Sequence, residues 1–154
     1  MECVVLLHNI RSAHNVGSIF RTADAAGVSA IYLSGYTPCP KDRFGKINKK
    51  IKTVALGAED SVVWERVSLF PFLMSMRKNG WKIVGVEQDQ RATDYRTYTS
   101  KKKTLFIFGN EVRGLSPTLR AACDALIEIP MHGKKESLNV SVATGIILFH
   151  ARGL

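Results

Sequence analysis

Acidic residues are in short supply in this chain, cysteines are few, and no long apolar run occurs anywhere in it. Each shortage excludes something. Lys and Arg number 22 against 13 Asp and Glu, a formal charge of +9 over 154 residues, so a polyanionic partner is favoured over a cationic one. Cys3, Cys39 and Cys123 are odd in number and contain no C-x-x-C, which argues against a disulfide framework and a thiolate zinc site. His8, His14, His132 and His150 lack the H-x-x-x-H spacing of a helical metal pair, and no metal is expected. The apolar run at residues 4–7 is too short for a signal sequence, and nothing approaches the ~18 residues of a membrane span. A cytoplasmic protein without a membrane partner is expected. Nucleotide fingerprints are missing too: there is no G-x-G-x-x-G, and Gly109 and Gly114 have P-loop spacing but lead into Leu115-Ser116 instead of Lys-Ser/Thr.

What is present alternates. Residues 3–8, 28–34, 81–86, 104–108 and 125–129 are short β-rich runs, several of them continuously apolar. Helical patterns lie between them at residues 15–26, 69–78, 117–122 and 140–151, the first with Val16, Ile19, Phe20, Ala23 and Ala26 on one face and Gly27 as its stop. This alternation predicts an α/β fold, a mostly parallel sheet flanked by helices. The length suits one domain, 1–154, and no linker, repeat or separate RNA-binding domain is seen. Residues 37–52 read as one long irregular loop rich in Lys and Arg, and long loops in compact domains tend to be functional.

Three segments carry candidate chemistry. The first runs from Asn9 to Asp24, where Asn15 is a candidate for the helix N-cap, for a ligand contact, or for both, and Arg21 projects away from the apolar stripe. The second, from Phe108 to Leu115, is a glycine-flanked turn; read alone it is a tight turn whose Glu111 is a surface carboxylate, free to orient an arginine or to offset a cation. In the third, Ile129 to Val142, a strand passes through Pro130 and a basic turn into an apolar helix. Ser137 is its expected N-cap. Asn139, in a first turn that asparagine does not favour, marks a side chain kept for hydrogen bonding.

In this order the segments read N-x-R-x-x-x-N-x-G-x-x-x-R-T-A, F-G-N-E-x-x-G-L and I-P-M-x-G-x-x-x-S-L-N-V-S-V-A. The combination resembles the three signature motifs of SpoU-type (TrmH-group) RNA ribose 2′-O-methyltransferases of the SPOUT superfamily, over almost the whole chain. The resemblance implies a C-terminal deep trefoil knot, a homodimer, and S-adenosylmethionine held in the knot. It assigns Phe108, Gly109, Asn110, Gly114, Ile129, Met131, Gly133, Ser137, Leu138 and Asn139 to the cofactor, and Arg21, Asn15, Glu111, Ser137 and Asn139 to catalysis. Arg11, Arg21, Lys41, Arg43, Lys46 and Arg113 are the expected RNA contacts, with tRNA or rRNA as the partner. Arginine is a poor general base, so Arg21 is expected to bind a phosphate and stabilise the forming alkoxide. The alternative is a non-catalytic RNA-binding or assembly protein of the same fold, and base methylation is disfavoured because the first motif belongs to the ribose-modifying group.

Overall fold

Strand β1, Glu2–His8, buries five consecutive residues, Cys3, Val4, Val5, Leu6 and Leu7. A run like this suits a strand covered on both faces, and in the computed structural model, which describes residues 1–154, both covers are present. Cys3, Val5 and Leu7 join a core built with Val16, Ile19 and Phe20 of α1 (Ala13–Ala25) and Ile147 and Leu148 of α6 (Val140–Arg152). Val4 and Leu6 enter a second core with Leu73 and Met76 of α4 (Leu69–Lys78) and Leu119 of α5 (Pro117–Ala122). The side-chain period of two thus divides one strand between two hydrophobic layers.

From β1 the sheet extends one way through β2 (Ala30–Ser34) to β3 (Val63–Arg66). It extends the other way through β6 (Lys103–Phe108), β4 (Lys82–Val86), β7 (Ala125–Glu128) and β5 (Thr93–Asp94). All six pairings are parallel. The direction of winding reverses between β1 and β6, where Leu7 lies beside Phe108 in register. Their carboxyl ends therefore finish side by side at the place where open α/β sheets bind ligands.

The parallel α/β architecture matches the expectation, and helices α4 and α5 have the expected bounds. Several details differ. Helix α1 begins at Ala13, and its N-cap is Ser12, whose hydroxyl accepts from Asn15 N; Asn15 is inside the first turn and is not the cap. Asn139, not Ser137, caps α6, its Oδ1 accepting from Ser141 N at 2.8 Å. β2 begins at Ala30, two residues later than expected.

The loop at residues 37–52 is more ordered than its composition suggests. Asp42 Oδ1 accepts from Phe44 N and Lys46 N, an antiparallel bridge joins Lys41 to Ile47, and Asn48 then caps α2 (Lys49–Ala55). α2, the four-residue α3 (Ala58–Ser61), the edge strand β3 and the two-residue β5 have no counterpart among the expected elements. All three cysteines are free thiols, and burial pushes those of Cys3 and Cys123 up to about 11. Neither is a nucleophile at neutral pH.

α1 and α2 meet at Gly17. A Cβ there would stand 2.8 Å from the Ile51 carbonyl oxygen and 2.9 Å from Val54 Cβ, and backbone cannot yield as a flexible side chain does. Gly17→Ala is expected to lower stability by about 1–3 kcal/mol in urea unfolding, the range for overpacking a tight contact. An unchanged midpoint would show that α2 moves aside freely.

Candidate functional site

The turn after β6 is built by its own side chains. Asn110 Oδ1 accepts from Val112 N and Arg113 N at 3.0 and 2.9 Å, and Gly114 N returns to Asn110 O at 2.9 Å. Gly114 has φ +64°, and an added Cβ would collide with the Glu87 carboxylate just beyond β4, which accepts from Leu115 N at 2.7 Å. The left-handed conformation is what requires glycine, since the Glu87 carboxylate is the end of a flexible side chain.

Glu111 projects from this turn toward the start of α1. Its carboxylate accepts from Arg11 N at 3.0 Å, Ser12 N at 3.1 Å and Asn15 Nδ2 at 3.2 Å. Burial works to raise its pKa, but these N–H donors, with one from its own backbone, outweigh that and hold it below the ordinary glutamate value. It grips the main chain of Arg11, not the guanidinium. Asn15 is buried and passes the connection on, its Oδ1 accepting from Asn139 Nδ2 at 3.2 Å. One hydrogen-bonded chain, Glu111–Asn15–Asn139, therefore joins all three sequence motifs.

Beside this chain lies an open cleft of about 150 Å³ at the carboxyl edge of the sheet. Of the residues assigned to cofactor contact, Phe108, Gly109, Asn110, Gly114, Ile129, Met131, Ser137 and Leu138 line it. Gly133 and Asn139 do not. Gly133 sits in the exposed turn between Met131 and Ser137, and the Asn139 amide is engaged with Asn15 and the end of α6. Sequence reasoning missed Val86, Glu87, Gln88, Glu128 and Ala143, and Glu111, Val112 and Val140, from within the motifs, complete the lining. For the first four of those missed the signal was topological: β4 ends next to β6 and β7 ends next to β4, neighbour relations that no motif carries, while Ala143 comes from α6.

The walls pair apolar surface from Val86, Phe108, Ile129, Leu138 and Val140 with three carboxylates, Glu87, Glu111 and Glu128. Such a lining suits a flat heteroaromatic group joined to a cationic centre. Ser137 is at the rim, but Arg21 lines no part of it. Arg21 is exposed on α1, six residues and ~9 Å of helix rise beyond Asn15. Arg11 and Arg113 flank an adjoining cleft, and Lys41, Arg43 and Lys46 line another beneath the 37–48 loop.

Residues 2–149 match the model of the SpoU rRNA Methylase family. The chain belongs to that family. Among its SpoU relatives, the 23S rRNA (guanosine-2′-O-)-methyltransferase RlmB of Escherichia coli is 41% identical over 150 residues, covering 96% of this chain and 58% of the relative. The tRNA (guanosine(18)-2′-O)-methyltransferase of Aquifex aeolicus is 36% identical over 152 residues, covering 98% of this chain and 69% of that protein. An AdoMet-bound rRNA methyltransferase from Sinorhizobium meliloti superposes with a TM-score of 0.90 at 35% identity, over 99% of this chain and 56% of that one. The chain thus spans little more than half the length of several SpoU proteins it resembles.

Glu111→Gln removes the charge and turns an amide N–H toward donors. With solvent screening the exposed part of the carboxylate, a loss of about 1 kcal/mol at neutral pH is expected. Because the folded-state pKa is depressed, the wild-type advantage is complete above the ordinary glutamate value and disappears as pH falls through and below it. Urea unfolding of both proteins at about pH 7 and about pH 3 measures this. A gap that persists undiminished in acid would remove charge from the explanation.

Proposed function

We propose that this chain transfers a methyl group from S-adenosylmethionine to a ribose 2′-hydroxyl of structured RNA, either rRNA or tRNA. The observation that carries the proposal is the cleft itself: apolar walls and three carboxylates lie where all three motifs converge. Family membership and the printed activities of the E. coli and A. aeolicus relatives support the same reading. When bound, the cofactor supplies an electrophilic methyl on a sulfonium centre. Val86, Phe108, Ile129 and Leu138 offer a slot for its adenine, and Glu87, Glu111 and Glu128 offer negative charge to its cationic part.

The reaction forms an O–CH₃ bond and breaks an S–CH₃ bond, so the 2′-hydroxyl must lose its proton. A guanidinium holds its own proton too tightly to take another. Arg21 is therefore assigned to binding a substrate phosphate and stabilising the developing alkoxide, with phosphate or solvent receiving the proton. Ser137 at the rim orients the ribose, and Asn15, Glu111 and Asn139 hold the walls in place. Arg11, Arg113, Lys41, Arg43 and Lys46 are read as phosphate contacts.

Arg21 lies outside its own protomer's cleft, so the reading includes a homodimer in which a second copy supplies it. The faces of α1 and α6 support this. Thr22, next to Arg21, is 3.6 Å from where a Gly145 Cβ would stand, and Val142 and Phe149 of α6 are exposed to 50% and 37%. Residues 1–154 are read as one catalytic domain acting in the cytoplasm; no helix is long and apolar enough to cross a membrane. The trefoil knot belongs to the same proposal. It is supported by the insertion of β6 between the earlier strands β1 and β4, and by residues 129–139 crossing from β7 back to α1.

Incubation with methyl-labelled S-adenosylmethionine and either tRNA or rRNA, followed by digestion to nucleosides, is expected to yield a labelled 2′-O-methylnucleoside. Cofactor binding with no label in any RNA would favour the non-catalytic RNA-binding reading. Arg21→Ala is expected to lower the single-turnover rate roughly 100- to 1,000-fold, as for removal of one oxyanion donor, while leaving cofactor affinity unchanged. A rate near wild type with saturating RNA would dismiss Arg21 from the chemistry.

A further inference from the structure

We propose that Tyr36 is the stacking platform for the base of the nucleotide being methylated, an assignment that rests on the RNA-methylation reading above. A second cleft opens beside the first, and the two share Asn110, Glu111 and Val112. The remaining walls are Arg11, Ser12, Tyr36 and Arg113. Two guanidinium groups around one aromatic ring make the composition of a single-strand groove, with positive charge for the backbone and a π-face for the base.

Tyr36 is 58% exposed, yet the fold holds it at both ends. Its backbone N–H donates to Asn9 Oδ1 at 3.2 Å, and its phenolic oxygen accepts from Asn110 Nδ2 at 2.9 Å. Arg66 braces the same segment, donating from Nη1 to Gly35 O at 2.7 Å and from Nη2 to Thr37 O at 2.5 Å. An exposed side chain ordinarily keeps its rotamer freedom and loses it only when a ligand binds. Here much of that entropy is lost on folding, so the ring is pre-organised for a partner that has yet to arrive.

The phenol adds a polar handle. Because Asn110 donates to its oxygen, the hydroxyl proton is left to donate to a base carbonyl or ring nitrogen. Asn110 is also part of the cofactor cleft, so a base on Tyr36 lies against the wall that the two clefts share. That places its ribose toward the transferred methyl, and Arg11 and Arg113 take the flanking phosphates.

The test uses the full chain and an oligoribonucleotide with 2-aminopurine at an unpaired position, whose fluorescence falls when the base stacks on a ring. Wild type and Tyr36→Phe are expected to bind and quench. Tyr36→Ala and Tyr36→Leu are expected to bind roughly 10- to 100-fold more weakly without quenching. They should keep the wild-type salt slope, since no charge is removed, and the wild-type affinity for S-adenosylmethionine. Equal binding and quenching by Tyr36→Ala would overturn the platform and leave the methylation reading standing. So would a defect in Tyr36→Phe as large as that in Tyr36→Ala, or a loss of cofactor binding in Tyr36→Ala, which would make the residue a strut for Asn110. Failure of the wild type to bind the RNA overturns both readings.

Discussion

One carboxylate organises this site. Glu111 accepts from two backbone N–H groups and one side-chain amide at the β1–α1 junction, although it belongs to a turn about 100 residues further along the chain. Hydrogen bonds to an ionised acceptor are roughly twice as strong as neutral ones, and three that converge on one group fix position as well as distance. Asn15 then uses both ends of its amide, donating to Glu111 and accepting from Asn139, while the Asn139 Oδ1 holds the first turn of α6. If the β1–α1 junction moved, both other segments would lose a partner, and if either of those moved, the junction would lose one, in a half-buried place where an unmet polar group costs about 1–3 kcal/mol.

The sheet makes that convergence possible. Parallel strands end at one edge, and β6 lies between β1 and β4, so the turn of the second motif emerges directly beside the first. The two hydrophobic layers divide the helices accordingly: α1 and α6 share one face, and α4 and α5 support the other. Only the helices of the first face carry motif residues, and from the second motif Leu115 alone packs into the other layer. That layer is a foundation, and its helices supply nothing to the cleft beyond the packing that keeps the strand ends level.

How far the sequence could be read depended on how local each determinant is. α4 and α5 were legible to the residue because Asn79-Gly80 ends one, and Ser116-Pro117 opens the other. α2 was not, since seven residues with Ile51 and Ala55 on the buried side give no measurable period and three lysines suggest a loop. Asn15 read as an N-cap candidate on its chemistry, but the Oδ1 that a cap would use accepts from Asn139 and its Nδ2 donates to Glu111, so the neighbouring Ser12 caps the helix instead. The same holds for Asn139. Its value as a hydrogen-bonding residue was legible, but that it would cap α6 and also reach Asn15 is a tertiary fact. Motif spelling placed most of the cleft, whereas Glu87 and Glu128 entered through strand order alone.

The charge distribution has a logic of its own. A chain with a net +9 carries three carboxylates in one small cleft, while the lysines and arginines of the 37–48 loop, Arg11 and Arg113 lie outside it. Under the proposed function, a basic cleft would draw RNA phosphates into competition with the cofactor. A negative cleft within a positive surface separates the two: long-range attraction brings the polyanion to the face, and short-range repulsion keeps its backbone out of the slot. The separation also explains why Glu111 can serve structure and site together. Its charge is held by N–H donors and not by a direct ion pair, so the same carboxylate that ties the motifs together still presents negative potential to whatever enters.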